Sequence, residues 1–217
     1  MTDFESARRA MVDTQVRPSD VTRYAIIEAM LAVPRERFVS GAMRDMAYAE
    51  VDVPLGEGRA LLAPRTIAKM LEAARIDPGD LVLDLAPGTG YSTAVIARMA
   101  EAVVAIEASD SLRSVAQARL DELEVMNAAV SPGAPADGDP DHGPYDVIFL
   151  NGAVERVAPA LTDQLKDGGR LVAVFRDGPL GRCRVLTRAG DALSDRRAFD
   201  VDAPLLDGFA KDRVFEF

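Results

Sequence analysis

The residues able to do chemistry are concentrated in one short stretch of the chain. Gly88 and Gly90 lie in Ala86-Pro87-Gly88-Thr89-Gly90-Tyr91, directly after the apolar run Leu81-Val82-Leu83-Asp84-Leu85. Glu107 closes a second apolar run, 102–106, and stands 17 positions after Gly90. Glycines so spaced let the backbone turn sharply and approach a ligand closely. A helix starting there presents unpaired N–H groups to that ligand. An acid at the tip of the neighbouring strand comes within reach of two ribose hydroxyls. Strand, glycine turn, helix, strand and terminal acid together predict a nucleotide-binding βαβ unit. The alternative is a unit whose glycines serve only close helix–strand packing. The dinucleotide pattern G-x-G-x-x-G would need a third glycine where Thr93 stands, and an acid at Asp84 is unusual in a hydride-transfer enzyme. Both points favour S-adenosyl-L-methionine over NAD. The expected cofactor contacts are Asp84, Ala86, Pro87, Gly88, Thr89, Gly90, Tyr91 and Glu107. Tyr91 either packs on the ligand or is purely structural. Asp84 either lies near the donor's amino group or ties helix to strand.

These residues need a scaffold, and the hydropathy pattern predicts one. Residues 4–16 read as an amphipathic helix ending before Pro18, and Ser19-Asp20 is placed to cap a second helix through Met30. Val33-Pro34-Arg35 breaks it, and residues 35–39 form a short turn or helix. Residues 47–63 lack periodicity and are rich in Pro, Gly and small apolar residues, which suits a substrate loop or a plain surface connection. Pro64 opens a helix to about Arg75. Asp77-Pro78-Gly79-Asp80 is a turn, and Ser109-Asp110 caps a helix to about Leu123. A weak strand is expected near 125–130, and residues 131–144 must be a loop. Strands follow at 145–150 and 170–176, with a helix at 159–165 between them. Stretches 183–187, 197–201 and 213–217 alternate like strands near a sheet edge. Alternation of strands and helices predicts an α/β fold with a doubly wound, mostly parallel sheet and an N-terminal helical extension. Residues 1–76 would form the extension and substrate-loop region, and 77–217 the compact cofactor-binding core. Ligands in such sheets bind beyond the carboxyl ends of the strands. That adds Asn151, which follows the 145–150 strand, to the rim; a simple strand-ending turn is the competing reading.

Composition narrows the partners. Of the 217 residues, 48% are hydrophobic and 28% charged, which suits a globular domain. A formal net charge of −10 argues against a nucleic-acid binder and leaves a peptide, protein or small-molecule acceptor open. One cysteine, Cys183, precludes an internal disulfide, and with the one histidine, His142, it makes no zinc site. Cys183 reads as a small buried hydrophobe and His142 as an exposed loop residue. No apolar run approaches the roughly 18 residues of a membrane span, and the N-terminus lacks a signal-peptide core. The expected protein is cytoplasmic, off the membrane, metal-free, and a monomer or small homo-oligomer.

Beyond the glycine loop, the chain resembles the protein-L-isoaspartate O-methyltransferases from about Arg9 to about Val174. The matching pieces are Met11-Val12 with Gln15 and Arg17, Val33-Pro34-Arg35 with Phe38-Val39, and Ala47-Tyr48. Then come Pro54-Leu55-Gly56 to Gly58, Pro64, and Ile67-Ala68-Lys69-Met70. Gly143-Pro144-Tyr145-Asp146, Gln164-Leu165 and Gly168-Gly169-Arg170-Leu171-Val172 complete the set. The resemblance implies a Rossmann-like methyltransferase fold. It also implies methyl transfer from S-adenosyl-L-methionine to the α-carboxylate of isoaspartyl residues in damaged proteins, a repair reaction that leaves S-adenosyl-L-homocysteine. Ala47, Tyr48, Pro54, Leu55, Leu61 and Leu62 would line the substrate loop.

The sequence departs from the family's pattern at three places. The family carries Thr-Ile-Ser before the proline-led helix, and that serine is a catalytic residue beside the donor. Here the run is Ala60-Leu61-Leu62, so Leu62 stands at the serine's place and offers no hydrogen bond. The family's Gly-Asp-Gly, whose acid lies near the adenine, corresponds to Gly133-Ala134-Pro135, with Asp137 three residues off register. Ala86-Pro87 replaces a more common Gly-Thr or Gly-Ser pair, and Pro87 gives up a backbone donor. No catalytic side chain is therefore assigned. The alternatives to isoaspartyl methylation are a paralogue with another acceptor and a cofactor-binding protein without turnover.

Overall fold

The computed structural model describes residues 3–178 and 180–211. Five parallel strands and an antiparallel pair form one seven-stranded sheet. The strands are β3 (Leu81–Leu85), β4 (Ala102–Glu107), β5 (Ala128–Pro132), β6 (Tyr145–Val154), β7 (Leu165–Asp177), β8 (Leu180–Ala189) and β9 (Ala192–Asp200), in spatial order β5-β4-β3-β6-β7-β8-β9. The chain moves outward from β3 through β4 to β5, then returns to place β6 on the other side of β3. Order thus reverses at β3, and the crevice expected at such a reversal lies at the carboxyl ends of β3, β4 and β6. Leu85 pairs with Ile106 on β4 and with Leu150 on β6. The next residue on each strand is Ala86, Glu107 and Asn151, which forms one row of three at the sheet's rim.

Five helices pack toward one face, and a single helical turn with the tail covers the other. α1 (Phe4–Met11) runs into a π-helical turn, Val12–Val16, and is followed by α2 (Tyr24–Ala32), α3 (Pro64–Ala74), α4 (Tyr91–Ala97), α5 (Asp110–Glu122) and the single turn α6 (Pro159–Thr162). Strand residues alternate between two apolar clusters. Val82, Val147, Phe149, Val172 and Val174 join the side chains of α1, α2 and α3, whereas Leu83, Leu85, Ile148, Leu150 and Leu171 pack toward Leu161 and the tail residues Leu206 and Phe209. Burial of both faces explains why these strands read as near-continuous apolar runs.

Several boundaries differ from expectation, each for a tertiary reason. The second helix starts at Tyr24, because Asp20 is left-handed (φ 61°) and the Glu72 carboxylate on α3 accepts the Thr22 and Arg23 N–H groups at 3.1 and 3.2 Å. α6 stops at Thr162, since Leu165 already pairs with Tyr145 as β7 begins. The strand expected to end at Leu150 continues to Val154, and Asn151 lies inside it. It runs on because Ala153 donates to Pro204 O at 2.7 Å and accepts from Leu206 N–H at 2.8 Å. The 131–144 loop loses Ser131 and Pro132 to β5. Residues 47–63 are not irregular throughout: Val53–Gly56 (β1) and Arg59–Leu61 (β2) form a hairpin turning at Glu57-Gly58, both with positive φ. The strand expected at 213–217 lies outside the described residues.

Candidate functional site

The rim is held by a buried polar network. Asp84 is fully enclosed and accepts from Ser92 Oγ at 2.8 Å, Thr93 Oγ1 at 2.7 Å and Asn151 Nδ2 at 2.6 Å. Asn151 Nδ2 also donates to Leu85 O at 3.1 Å. Asp84 therefore stitches β3 to α4 and β6, with every partner supplied by the protein. Burial pushes its carboxyl up to about 6, and the Thr93, Ser92 and Asn151 hydrogen bonds pull the other way. Thr93, which breaks the dinucleotide pattern, is one of the three groups that make the buried acid tolerable.

The glycine turn is shaped by its neighbours. Gly88 has φ +62° and Gly90 φ +91°, so both occupy the left-handed region. A Cβ on Gly90 would stand 3.1 Å from Ala116 Cβ and 3.3 Å from Ala116 Cα, which shows how closely α5 passes the start of α4. A Cβ on Gly88 would meet Leu55 Cδ1 of the hairpin at 2.7 Å. Ala86 also has positive φ, 57°, where L-residues are strained. Pro87 O accepts the Gly90 N–H at 3.1 Å and Thr89 Oγ1 donates to Phe38 O at 2.6 Å, so the loop is pinned at both ends.

Glu107 is completely buried, yet four donor contacts reach it. Gly88 N–H donates to Oε2 at 2.8 Å and Ser109 N–H to Oε1 at 3.2 Å. Arg59 Nη1 lies 3.0 Å from Oε1 and 3.3 Å from Oε2. Arg59 Nη2 donates to Ala86 O. A cleft of about 210 Å³ opens beside them, lined by Arg59, Ala86, Glu107, Ser109, Pro135 and Leu206 among others.

The structure thus brings Ala86 and Glu107 to one cleft, with Gly88 bonded to Glu107 and Asn151 bonded to Asp84 and Leu85 behind them. Tyr91 turns away into the core: its ring meets Phe38 edge-on at 5.5 Å and lies 4.8 Å from the Arg35 guanidinium. Ala134 is exposed, and its neighbour Pro135 faces the cleft instead. Of the substrate-loop residues, Pro54 is exposed and Leu55 half-buried. Ala47, Tyr48, Leu61 and Leu62 are buried. Tyr48 donates its hydroxyl to Glu36 and its carbonyl accepts from Gln15 Nε2 at 2.8 Å.

Three contributors escaped the sequence reading. Arg35, which the sequence offered only as part of the Val33-Pro34-Arg35 turn, is fully buried and donates to two carbonyls, Ala47 O through Nε and Leu62 O through Nη2, both at 2.6 Å. It clamps both acceptor-side segments together, and burial lowers its pKa. Arg59 lies in a stretch that the spacing left without periodicity. Leu206 reaches the cleft from the far end of the chain. Only Arg59 had a legible signal, as the sole cation between Pro54 and Pro64. His142 is exposed and its Nδ1 lies 2.7 Å from Asp139 Oδ2; Cys183 is buried. Among the described residues, no cluster of three or more His, Cys, Asp or Glu could hold a metal, and no helix is long and apolar enough to cross a membrane.

Comparison with known proteins adds independent findings. The family described as Protein-L-isoaspartate(D-aspartate) O-methyltransferase matches residues 6–194. The protein-L-isoaspartate O-methyltransferase of Gloeobacter violaceus is 37% identical over 197 residues, covering 88% of this chain and 94% of the relative. A solved protein-L-isoaspartate O-methyltransferase superposes with a TM-score of 0.81 at 24% identity, over 94% of this chain and 66% of the other. Another, from Plasmodium falciparum in complex with S-adenosyl-L-homocysteine, gives 0.80 at 18% identity, over 95% and 99% of the two chains. At these identities the two structures establish a shared fold.

Proposed function

This chain belongs to the protein-L-isoaspartate(D-aspartate) O-methyltransferase family, and from that premise we propose that it methylates isoaspartyl carboxylates of damaged proteins with S-adenosyl-L-methionine, as a protein-repair enzyme. The observation that carries the reading is the strand-tip pair of acceptors, the Glu107 carboxylate and the Ala86 carbonyl, set around the Gly88 turn in a chain matched by the family over 6–194. These residues fit the cofactor, whose ribose hydroxyls and ammonium group are donors. When bound, the cofactor would supply a sulfonium methyl for transfer to an acceptor carboxylate oxygen, with S-adenosyl-L-homocysteine as the product.

The chain's own residues need only bind and align. The acceptor is already an anion, so no general base is required, and orientation supplies most of the rate. Asp84, Ser92, Thr93 and Asn151 fix the rim. Arg35 fixes the acceptor side by holding the carbonyls of Ala47 and Leu62. Leu62 presents an apolar, 2% exposed side chain where the family places serine. That position favours one second reading, a paralogue with a different methyl acceptor.

Incubation with labelled S-adenosyl-L-methionine and an isoaspartyl peptide tests the first reading against an aspartyl control. Label above the control supports it, and label equal to the control counts against it. Leu62→Ser is expected to raise kcat/KM on the isoaspartyl peptide by on the order of 10²-fold, the scale of one preorganised donor. It should cost about 2–4 kcal/mol of stability, because a buried leucine side chain is truncated to a hydroxymethyl group.

A further inference from the structure

Glu107 and the Ala86 carbonyl already have a ligand, and it is a side chain of the same protein. The Glu107 carboxylate offers about four lone-pair sites. Two are met by the backbone N–H groups of Gly88 and Ser109, and Arg59 Nη1 spans both oxygens. The second nitrogen of the fork donates to Ala86 O. Arg59 thus satisfies the two acceptors that a ligand bearing hydroxyls and an ammonium group would use, and it does so with a cation. The same hairpin lays Leu55 against the glycine turn, with Cδ1 2.7 Å from where a Gly88 Cβ would stand. The cleft beside Arg59 measures about 210 Å³, and a second of about 490 Å³ adjoins the hairpin and the glycine turn at Leu55, Gly56 and Thr89.

The element carrying Arg59 is small, anchored at its base by the buried Val53 and Leu61 and exposed at its tip, residues 56–58. β1 and β2 are four and three residues long and form a separate two-stranded sheet. Such a ribbon is marginal on its own. At its tip Glu57 accepts from Ser111 Oγ at 3.0 Å in an exposed contact, and at its base Asp52 Oδ1 accepts the Ala63 N–H at 2.7 Å.

We propose that Arg59 is an internal competitor for the cofactor site: it sets cofactor affinity by occupying Glu107 and the Ala86 carbonyl, and the β1–β2 hairpin must carry it away before the ligand seats. This rests on the cofactor reading given above. Apparent affinity is then the intrinsic affinity reduced by the fraction of molecules with Arg59 withdrawn. The gain from removing Arg59 belongs in the association rate.

Calorimetry and stopped-flow binding of S-adenosyl-L-homocysteine to the full chain, Arg59→Ala and Arg59→Lys test this without turnover. Arg59→Ala should bind at least about fivefold tighter, with most of the change in the association rate. Arg59→Lys keeps the charge but lacks the fork, and should fall between Ala and the parent. Weaker or unchanged binding by Arg59→Ala, in a variant whose circular dichroism matches the parent, would overturn the proposal and leave the cofactor assignment standing. Failure of both the parent and Arg59→Ala to bind would overturn the cofactor assignment and this inference with it.

Discussion

Single residues show how strain and burial are balanced at the site. Ala86 sits at φ 57°, a conformation costing an L-residue about 1–2 kcal/mol, yet its methyl is 1% exposed in the second apolar cluster, where one buried carbon contributes about 0.8 kcal/mol. The two effects nearly offset, and glycine adds unfolded-state entropy. Ala86→Gly should therefore change the urea-unfolding free energy by less than about 1 kcal/mol in either direction. Asp84 makes a sharper prediction. Its carboxyl is raised in the folded protein to about 6 from an unfolded value of 3.8, so the folded state binds the extra proton between those values. The contribution to stability is present below about pH 4 and is lost as pH rises through about 6. Compared with Asp84→Asn, the parent should lose ground by up to about 3 kcal/mol from pH 4 to pH 7, since each pKa unit is about 1.36 kcal/mol. Denaturant titrations of both proteins at pH 4.5, 6 and 7.5 check the slope, and a pH-independent difference would contradict it.

Elements are fixed at their ends by contacts that the local sequence does not announce. α3 closes on Arg75, left-handed at φ 50°, with its last carbonyl taken by Arg170 from β7: Nε donates to Ala74 O at 2.6 Å, and Nη2 pairs with Asp80 Oδ2 at 2.7 Å. Arg75 itself is exposed, so glycine at this helix end should stabilise the protein by about 0.5–1 kcal/mol, measured as a shift in the urea midpoint at unchanged slope. Gly90 is the opposite case. Its φ of +91° strains any L-residue, and with Ala116 Cβ at 3.1 Å and Cα at 3.3 Å a methyl would press α5 away from α4 by a few tenths of an ångström. Gly90→Ala is expected to cost about 2–3 kcal/mol, strain and overpacking together, whereas at Gly88, also left-handed at φ +62°, the strain is similar but the added methyl meets only the flexible end of Leu55.

At the scale of the whole molecule, the site exists because three distant parts of the chain meet at one sheet edge. The hairpin comes from residues 53–61, the rim from β3, β4 and β6, and the back wall from the tail, where Leu206 packs within 2.6 Å of a Cβ placed on Gly152. A ligand that bridges them should stabilise the entire fold. S-adenosyl-L-homocysteine at 100 times its dissociation constant contributes about 2.7 kcal/mol, which for a chain of this size raises the melting temperature by about 5–10 °C. NAD at the same concentration should leave it unchanged, as read by thermal-shift titration.

The βαβ unit was legible in the sequence because every part of it is local. A buried parallel strand needs an apolar run, a tight turn needs glycine, and one residue beyond the run ends at the rim. Helix α3 was equally plain, from Pro64 at its first turn. What tertiary structure alone decided concerns partners far apart in sequence. Glu72 capping α2, Arg170 capping α3 and Arg35 gripping Ala47 and Leu62 are long-range hydrogen bonds to backbone atoms, which leave no periodic trace. Nor could spacing reveal that Tyr91 faces the core, or that a cation from a stretch without rhythm would fold onto Glu107. Backbone geometry is written residue by residue, but which side chain fills a given acceptor depends on where separate elements come to rest.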